Sequence, residues 1–175
     1  DMQGVLMKTR INLCSKYLAM LLGSAISAGV AHGGEPLENA YKHANLALIS
    51  FSERIEHCAD LRKPIPSRVF QDINATKDQL RLILSYHSAL ASFECSRKEA
   101  TTFLIYSSII QSLDTETSSH LGEGNYAVVH DMVTVLQRET EYRELPERML
   151  VQLEAIEDLK LPFDLAGTAK ALGLE

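Results

Sequence analysis

The side chains best suited to chemistry in this sequence are its histidines and the carboxylates near them. His57 follows Glu53 by four residues, so the two project from one turn of a helix. His87 falls on the apolar face of the next helical segment, where a buried polar group needs a partner. Histidines and carboxylates converging from facing helices suit Zn²⁺ or iron. One hypothesis is therefore a metal or small-ligand site formed by Glu53, His57 and His87.

The competing interpretation places these histidines on the surface, or in the core with a hydrogen bond. The di-iron carboxylate pattern needs Glu-x-x-His on two helices, and the sequence does not contain it. A nucleophile elbow, a phosphate-binding loop, a dinucleotide fingerprint and a haem-attachment motif are also missing from the sequence. We therefore expect a protein that has no cofactor and acts by binding rather than catalysis.

Cys58 and Cys95 are a candidate disulfide, since two thiols in an oxidising compartment usually pair. If residues 67–94 formed one helix folded back on the first, its ends would lie about 42 Å apart. Bonded cysteines need Cα atoms within about 7 Å of each other. A disulfide therefore requires a break near Asn74. The alternatives are two free thiols, with Cys58 packed in the core, or a bond between two chains.

Residues 1–33 have the form of a secretory signal together with a few upstream residues. A basic stretch that includes Lys8 precedes an apolar run from Tyr17 to Ala31. Small residues then suit cleavage before Gly34, or before His32. The apolar run is shorter than the roughly 20 residues of a membrane span. We expect a cleaved signal and a periplasmic or secreted protein; an uncleaved anchor and a buried core helix are the alternatives.

Residues 34–175 read as one helical domain. The first helix, over 35–62, carries an apolar residue at alternating spacings of three and four, and Pro64 and Pro66 end it. These apolar positions are Leu37, Tyr41, Ala44, Leu48, Phe51, Ile55 and Cys58. No segment shows convincing strand alternation. The sequence therefore predicts an all-α fold, a compact bundle of four to five antiparallel helices.

Several local signals predict where the later helices begin and end. Thr76 with Gln79, and Ser96 with Glu99, both have the form of a capping box, so we expect a helix to start at each.

Residues 115–125 are polar and contain two glycines, which predicts a loop. A helix over 126–145 follows, with Val129, Met132, Val133 and Leu136 expected to face inward. Pro146 is expected to start another helix, with Met149, Leu153, Ile156 and Leu159 inward, and Asp164 to cap a short last one.

The charge of the domain limits its partners. The chain has a net charge of −6. Residues 1–33 hold three basic side chains and one acidic one, which leaves −8 on residues 34–175. Such an acidic surface argues against nucleic-acid binding, which needs a basic face. We expect another protein as the partner, and the acidic surface suits a basic one. The sequence favours an exported accessory subunit, adaptor or immunity-type inhibitor.

Overall fold

The computed structural model describes residues 34–114 and 118–174, and the side chains of these except for 118–127. The predicted signal segment and its cleavage sites lie outside the described residues. The described residues form five helices and no strand, so the predicted all-α bundle is confirmed. The helices are α1 (Glu35–Asp60), α2 (Lys77–Leu113), α3 (Ser118–Arg143), α4 (Glu147–Glu154) and α5 (Leu165–Ala171), with 3-10 turns at Ser67–Phe70 and Glu157–Lys160.

None of the helices in the described part of the chain combines the length and the apolar character that crossing a membrane requires.

Helix α1 forms where the sequence predicts it, with Pro36 in its first turn. Its buried face carries mostly small side chains: Ala40, Ala44, Ala47, Phe51 and Cys58. Small residues let the backbones of neighbouring helices approach closely. Ile55, which the pattern places inward, is 42% exposed, so this one position of the predicted face is wrong.

Helix α2 begins at the predicted capping box. The Thr76 hydroxyl accepts from the Gln79 backbone N–H at 3.2 Å, and the Gln79 side chain accepts from the Thr76 N–H at 2.9 Å. The predicted start at Ser96 is wrong, because α2 runs through this position without a break. Ser96 is buried there and its hydroxyl donates to the Ser92 carbonyl at 3.3 Å, as a mid-helix serine does.

The two halves of α2 pack against different parts of the chain. Its C-terminal half runs antiparallel to α1, since the Tyr41 hydroxyl donates to the Asp114 carboxylate at 3.0 Å while Cys58 reaches Cys95. Ala47, Phe51, Ala100, Phe103 and Val128 form a core cluster between α1, α2 and α3. The N-terminal half of α2 contributes to a larger cluster with the end of α3 and the chain that follows it. This cluster contains Ile83, Leu84, Tyr142, Leu145, Met149, Leu153, Leu159 and Phe163.

Helix α3 starts earlier than the sequence predicts. Its first residue is Ser118, so the loop expected over 115–125 is wrong from that residue onward. The inward face is shifted from the prediction: Val128, Val135 and Tyr142 are buried and Leu136 is 57% exposed. The other three predicted residues, Val129, Met132 and Val133, are half-buried. A spacing of seven residues keeps the three buried residues on the side of α3 that faces α2.

The C-terminal segments cover the connection between α1 and α2. Met149, Leu153 and Leu159 are buried as predicted, and Ile156 is half-buried. The Asp164 carboxylate accepts from the Gly167 N–H at 3.0 Å, which confirms its predicted role as a cap. The Thr168 hydroxyl accepts from the Ile65 N–H at 2.9 Å, and so ties α5 to the α1–α2 connection.

Candidate functional site

The three predicted metal ligands are not assembled into one site. Glu53 and His57 lie exposed on α1, whereas His87 is 8% exposed within α2. Among the side chains that the structure describes, at 34–114 and 128–174, no three of His, Cys, Asp or Glu lie close enough together to hold a metal ion. The structure therefore places His87 in a different setting from the other two residues.

His87 is part of a buried aromatic cluster with Tyr86 and Tyr142. Its Nε2 lies 2.9 Å from the Tyr142 hydroxyl, and the two rings meet edge to face. The Tyr86 ring stacks on Tyr142 with centroids 4.1 Å apart. This is the partner that the sequence argument required for a histidine on an apolar face.

Burial controls the protonation of this cluster. It lowers the pKa of His87 to about 4, because the cluster disfavours a charged imidazole. Burial, with smaller contributions from Tyr86 and Glu154, raises the pKa of Tyr142 to about 12. At neutral pH, His87 and Tyr142 are therefore an uncharged hydrogen-bonded pair.

His87 also lines a groove between α2 and the chain around α4. The groove has a volume of about 470 Å³. From α2 it is lined by His87, Leu90, Ala91 and Glu94, and from the other side by Leu153, Glu154, Leu159 and Lys160. The α2 residues follow at spacings of three and four, so they form one face of two helical turns.

The predicted cysteine pair is bonded in the structure. Cys58 and Cys95 form a disulfide with Cα atoms 6.2 Å apart. Nearby, the Arg54 guanidinium donates to the Cys95 carbonyl at 2.7 Å. The chain breaks between α1 and α2 as the distance argument requires, but Cys95 lies in the middle of α2 rather than at its end. The bond joins the end of α1 to the centre of the longest helix.

An exposed face without charge lies on the C-terminal half of α2. The fourteen residues from Ala100 to Leu113 include no charged side chain. Ile105 is 55% exposed, Ile109 39% and Leu113 51%, and they follow at spacings of four. We call these three residues the aliphatic stripe. The stripe was not predicted from the sequence, although a charge-free run longer than one helix face needs is a readable signal.

Charged groups lie at both ends of the aliphatic stripe. The Tyr41–Asp114 hydrogen bond brings the first turns of α1 beside the end of α2, so the exposed Glu35 and Glu38 lie near the Leu113 end. Lys98 is exposed about two turns before Ile105, beside Arg97, which pairs with Glu94 at 3.0 Å. The stripe therefore has two carboxylates near one end and the ammonium group of Lys98 near the other.

Comparison of the chain with protein-family models, with curated proteins and with solved structures gives no match.

Proposed function

We propose that residues 34–175 act as an exported, non-enzymatic binding protein that docks an aliphatic helix of another protein on the stripe of Ile105, Ile109 and Leu113. The observation that carries the proposal is the exposure of these three side chains within a run of fourteen uncharged residues. Protein interfaces differ from other surfaces by the depletion of charge at their centre. The domain otherwise carries a net charge of −8, so a charge-free face stands out on it.

The dimensions of the stripe fit one face of a partner helix. Eight residues separate Ile105 from Leu113, which corresponds to about 12 Å along α2. An amphipathic helix presents anchors at spacings of three, four and seven residues, so two or three of its side chains span this length. Complete burial of one aliphatic side chain contributes about 1.5–3 kcal/mol.

The charges at the two ends favour one orientation of the partner. Glu35 and Glu38 attract a basic group near Leu113, whereas Lys98 attracts an acidic group before Ile105. Complementary charges at an interface rim set register and speed association. We infer a partner helix that is apolar at its centre and basic at the end that lies over α1.

The disulfide supports the proposal that the protein is exported. Disulfides persist in oxidising compartments and are rare in the bacterial cytoplasm. The Cys58–Cys95 bond suits the periplasm or the exterior, where the signal-like segment at 1–33 would send the chain. The role that fits is an accessory subunit, an adaptor or an immunity-type inhibitor of an exported protein.

Site-specific photo-crosslinking in the cells that naturally produce the protein tests the docking face. A photoreactive amino acid at position 109 is compared with the same amino acid at position 136. Leu136 is a matched control because it is a 57% exposed aliphatic residue on another helix, α3. We expect a discrete adduct at position 109 only, with the crosslinked residue in a helical, basic-flanked segment of a second protein. The variant Ile109→Glu should then abolish binding of that purified partner, and Leu136→Glu should retain it.

Three outcomes would overturn the proposal. These are equal crosslinking at positions 109 and 136, an adduct at position 109 with residues 1–33 of the same chain, and an adduct with a second copy of this protein. The second outcome would mean that the chain covers its own stripe, and the third would make the stripe a dimer interface.

A further inference from the structure

We propose that the groove between α2 and the chain around α4 binds a small organic ammonium compound with an apolar body. The groove involves the N-terminal half of α2, whereas the aliphatic stripe lies on its C-terminal half, so this proposal is independent of the docking function. Its volume of about 470 Å³ is within the usual range of small-molecule sites.

The floor of the groove is apolar. Leu153 and Leu159 are each 1% exposed and Ala91 is 2% exposed, so they close the floor without offering much surface of their own, while Leu90 is half-buried beside them. An aliphatic or aromatic ligand body gains free energy mainly by covering the exposed part of Leu90. His87 adds one polar side chain, its imidazole, to the floor of the groove. This imidazole is uncharged at neutral pH because burial lowers its pKa to about 4.

The rim of the groove favours a positive charge. The charged residues at the rim are two carboxylates, Glu94 and Glu154, and one ammonium group, Lys160. Lys160 already pairs with Glu157 at 2.6 Å, and Glu94 pairs with Arg97 at 3.0 Å. Among the described residues no cation pairs with Glu154, so its carboxylate is the rim charge open to a ligand cation.

The negative charge of Glu154 has an electrostatic effect on the polar groups at one end of the groove floor. It contributes to the raised pKa of Tyr142, whose hydroxyl lies 2.9 Å from His87 Nε2. A ligand ammonium group beside Glu154 would therefore offset the effect of the Glu154 carboxylate on Tyr142. A metal ion does not fit the groove, because the described residues provide no group of three ligands. An anion would meet two carboxylates.

Methyl NMR titration tests the proposal with 2-phenylethylammonium chloride as the cation and 3-phenylpropionate as an anionic probe of similar shape. We expect the cation to shift the methyl signals of Leu90, Ala91, Leu153 and Leu159 saturably, and the anion to leave them unchanged. Glu154→Gln should weaken binding of the cation about fivefold, as loss of one partly exposed ion pair does. The exposed position of Glu154 keeps the fold intact, which an unchanged Tm verifies.

Glu147→Gln is the matched control. Glu147 lies on the same helix, is also exposed and does not line the groove, so this variant removes the same charge without altering the site. If both variants weakened binding of the cation equally, the loss would be due to net charge alone, and the proposal would be overturned. Equal binding of the anion, or the absence of methyl shifts at millimolar cation, would overturn it as well. None of these outcomes bears on the photo-crosslinking of position 109.

Discussion

Lowering the pH from 7 to 4 is expected to destabilise the domain through the buried side chain of His87. Burial in the cluster with Tyr86 and Tyr142 lowers the pKa of this imidazole from its ordinary value of 6.5 to about 4. In the unfolded chain His87 takes up a proton below pH 6.5, whereas in the folded protein it stays neutral until about pH 4. The unfolded state binds more protons in this window, so stability must fall as the pH falls through it.

The size of the effect follows from the distance between the two pKa values. Each pH unit between 6.5 and about 4 is worth about 1.4 kcal/mol, which gives a loss of about 3 kcal/mol at pH 4. Above pH 6.5 the contribution of His87 is complete, and below about pH 4 it declines no further. A loss of this size is a large part of the 5–15 kcal/mol typical of a folded domain.

Urea denaturation followed by far-UV circular dichroism, at several pH values and constant ionic strength, measures this loss. The comparison is with His87→Gln, whose amide can bond the Tyr142 hydroxyl but does not titrate. Carboxylates titrate in both proteins and cancel in the difference. We expect the stability of the native protein relative to His87→Gln to fall by about 3 kcal/mol between pH 7 and pH 4. Parallel pH curves for the two proteins would refute the reasoning.

Four further predictions each concern one bond or one side chain. Replacing Cys58 and Cys95 together by alanine should cost about 4 kcal/mol and lower Tm by about 10–15 °C, since the bond closes a loop across 37 positions; a change of only one or two degrees in calorimetry would contradict this. Thr76→Ala should cost about 1 kcal/mol in urea denaturation, while Thr76→Ser keeps the cap and serves as the control. Ser107→Ala should stabilise by about 1 kcal/mol, because this fully buried hydroxyl has no hydrogen-bond partner among the described residues; a loss of stability would reveal a partner. Ile109→Glu should leave stability within about 0.5 kcal/mol, and a larger loss would mean that the stripe is not a free surface.

Local signals were enough to predict much of the helical framework. The prolines after α1, the capping box at Thr76 and the cap at Asp164 each act within a few residues, so their effect can be read from the sequence. The break between Cys58 and Cys95 could be predicted in the same way, because only the rise of a helix and the reach of a disulfide decide it. The chain has this break between α1 and α2.

Local signals failed where packing across the chain decides the outcome. Ser96 with Glu99 looks like a helix start, but clusters on both sides of this point stabilise one continuous α2. Each of the two glycines in 115–125 disfavours helix by about 1 kcal/mol, yet α3 begins at Ser118 and continues through both positions.

The candidate sites depended still more on distant contacts. His87 finds its hydroxyl partner 55 residues away in Tyr142, at a separation that no spacing rule covers. Glu53 and His57 share a helix face as expected, but the spacing could not tell that this face is turned to solvent. The groove brings together residues of α2 with those of a short segment near the C-terminus, and it could be found only in three dimensions.

The length of α2 has a consequence for how the domain comes apart. At 37 residues it is about 55 Å long, and each half stabilises a separate hydrophobic cluster. Amide hydrogen exchange should therefore divide this helix into two blocks that open with different free energies. The disulfide joins α2 at the boundary between these two blocks, so it holds the middle of α2 to α1 whichever block unfolds first.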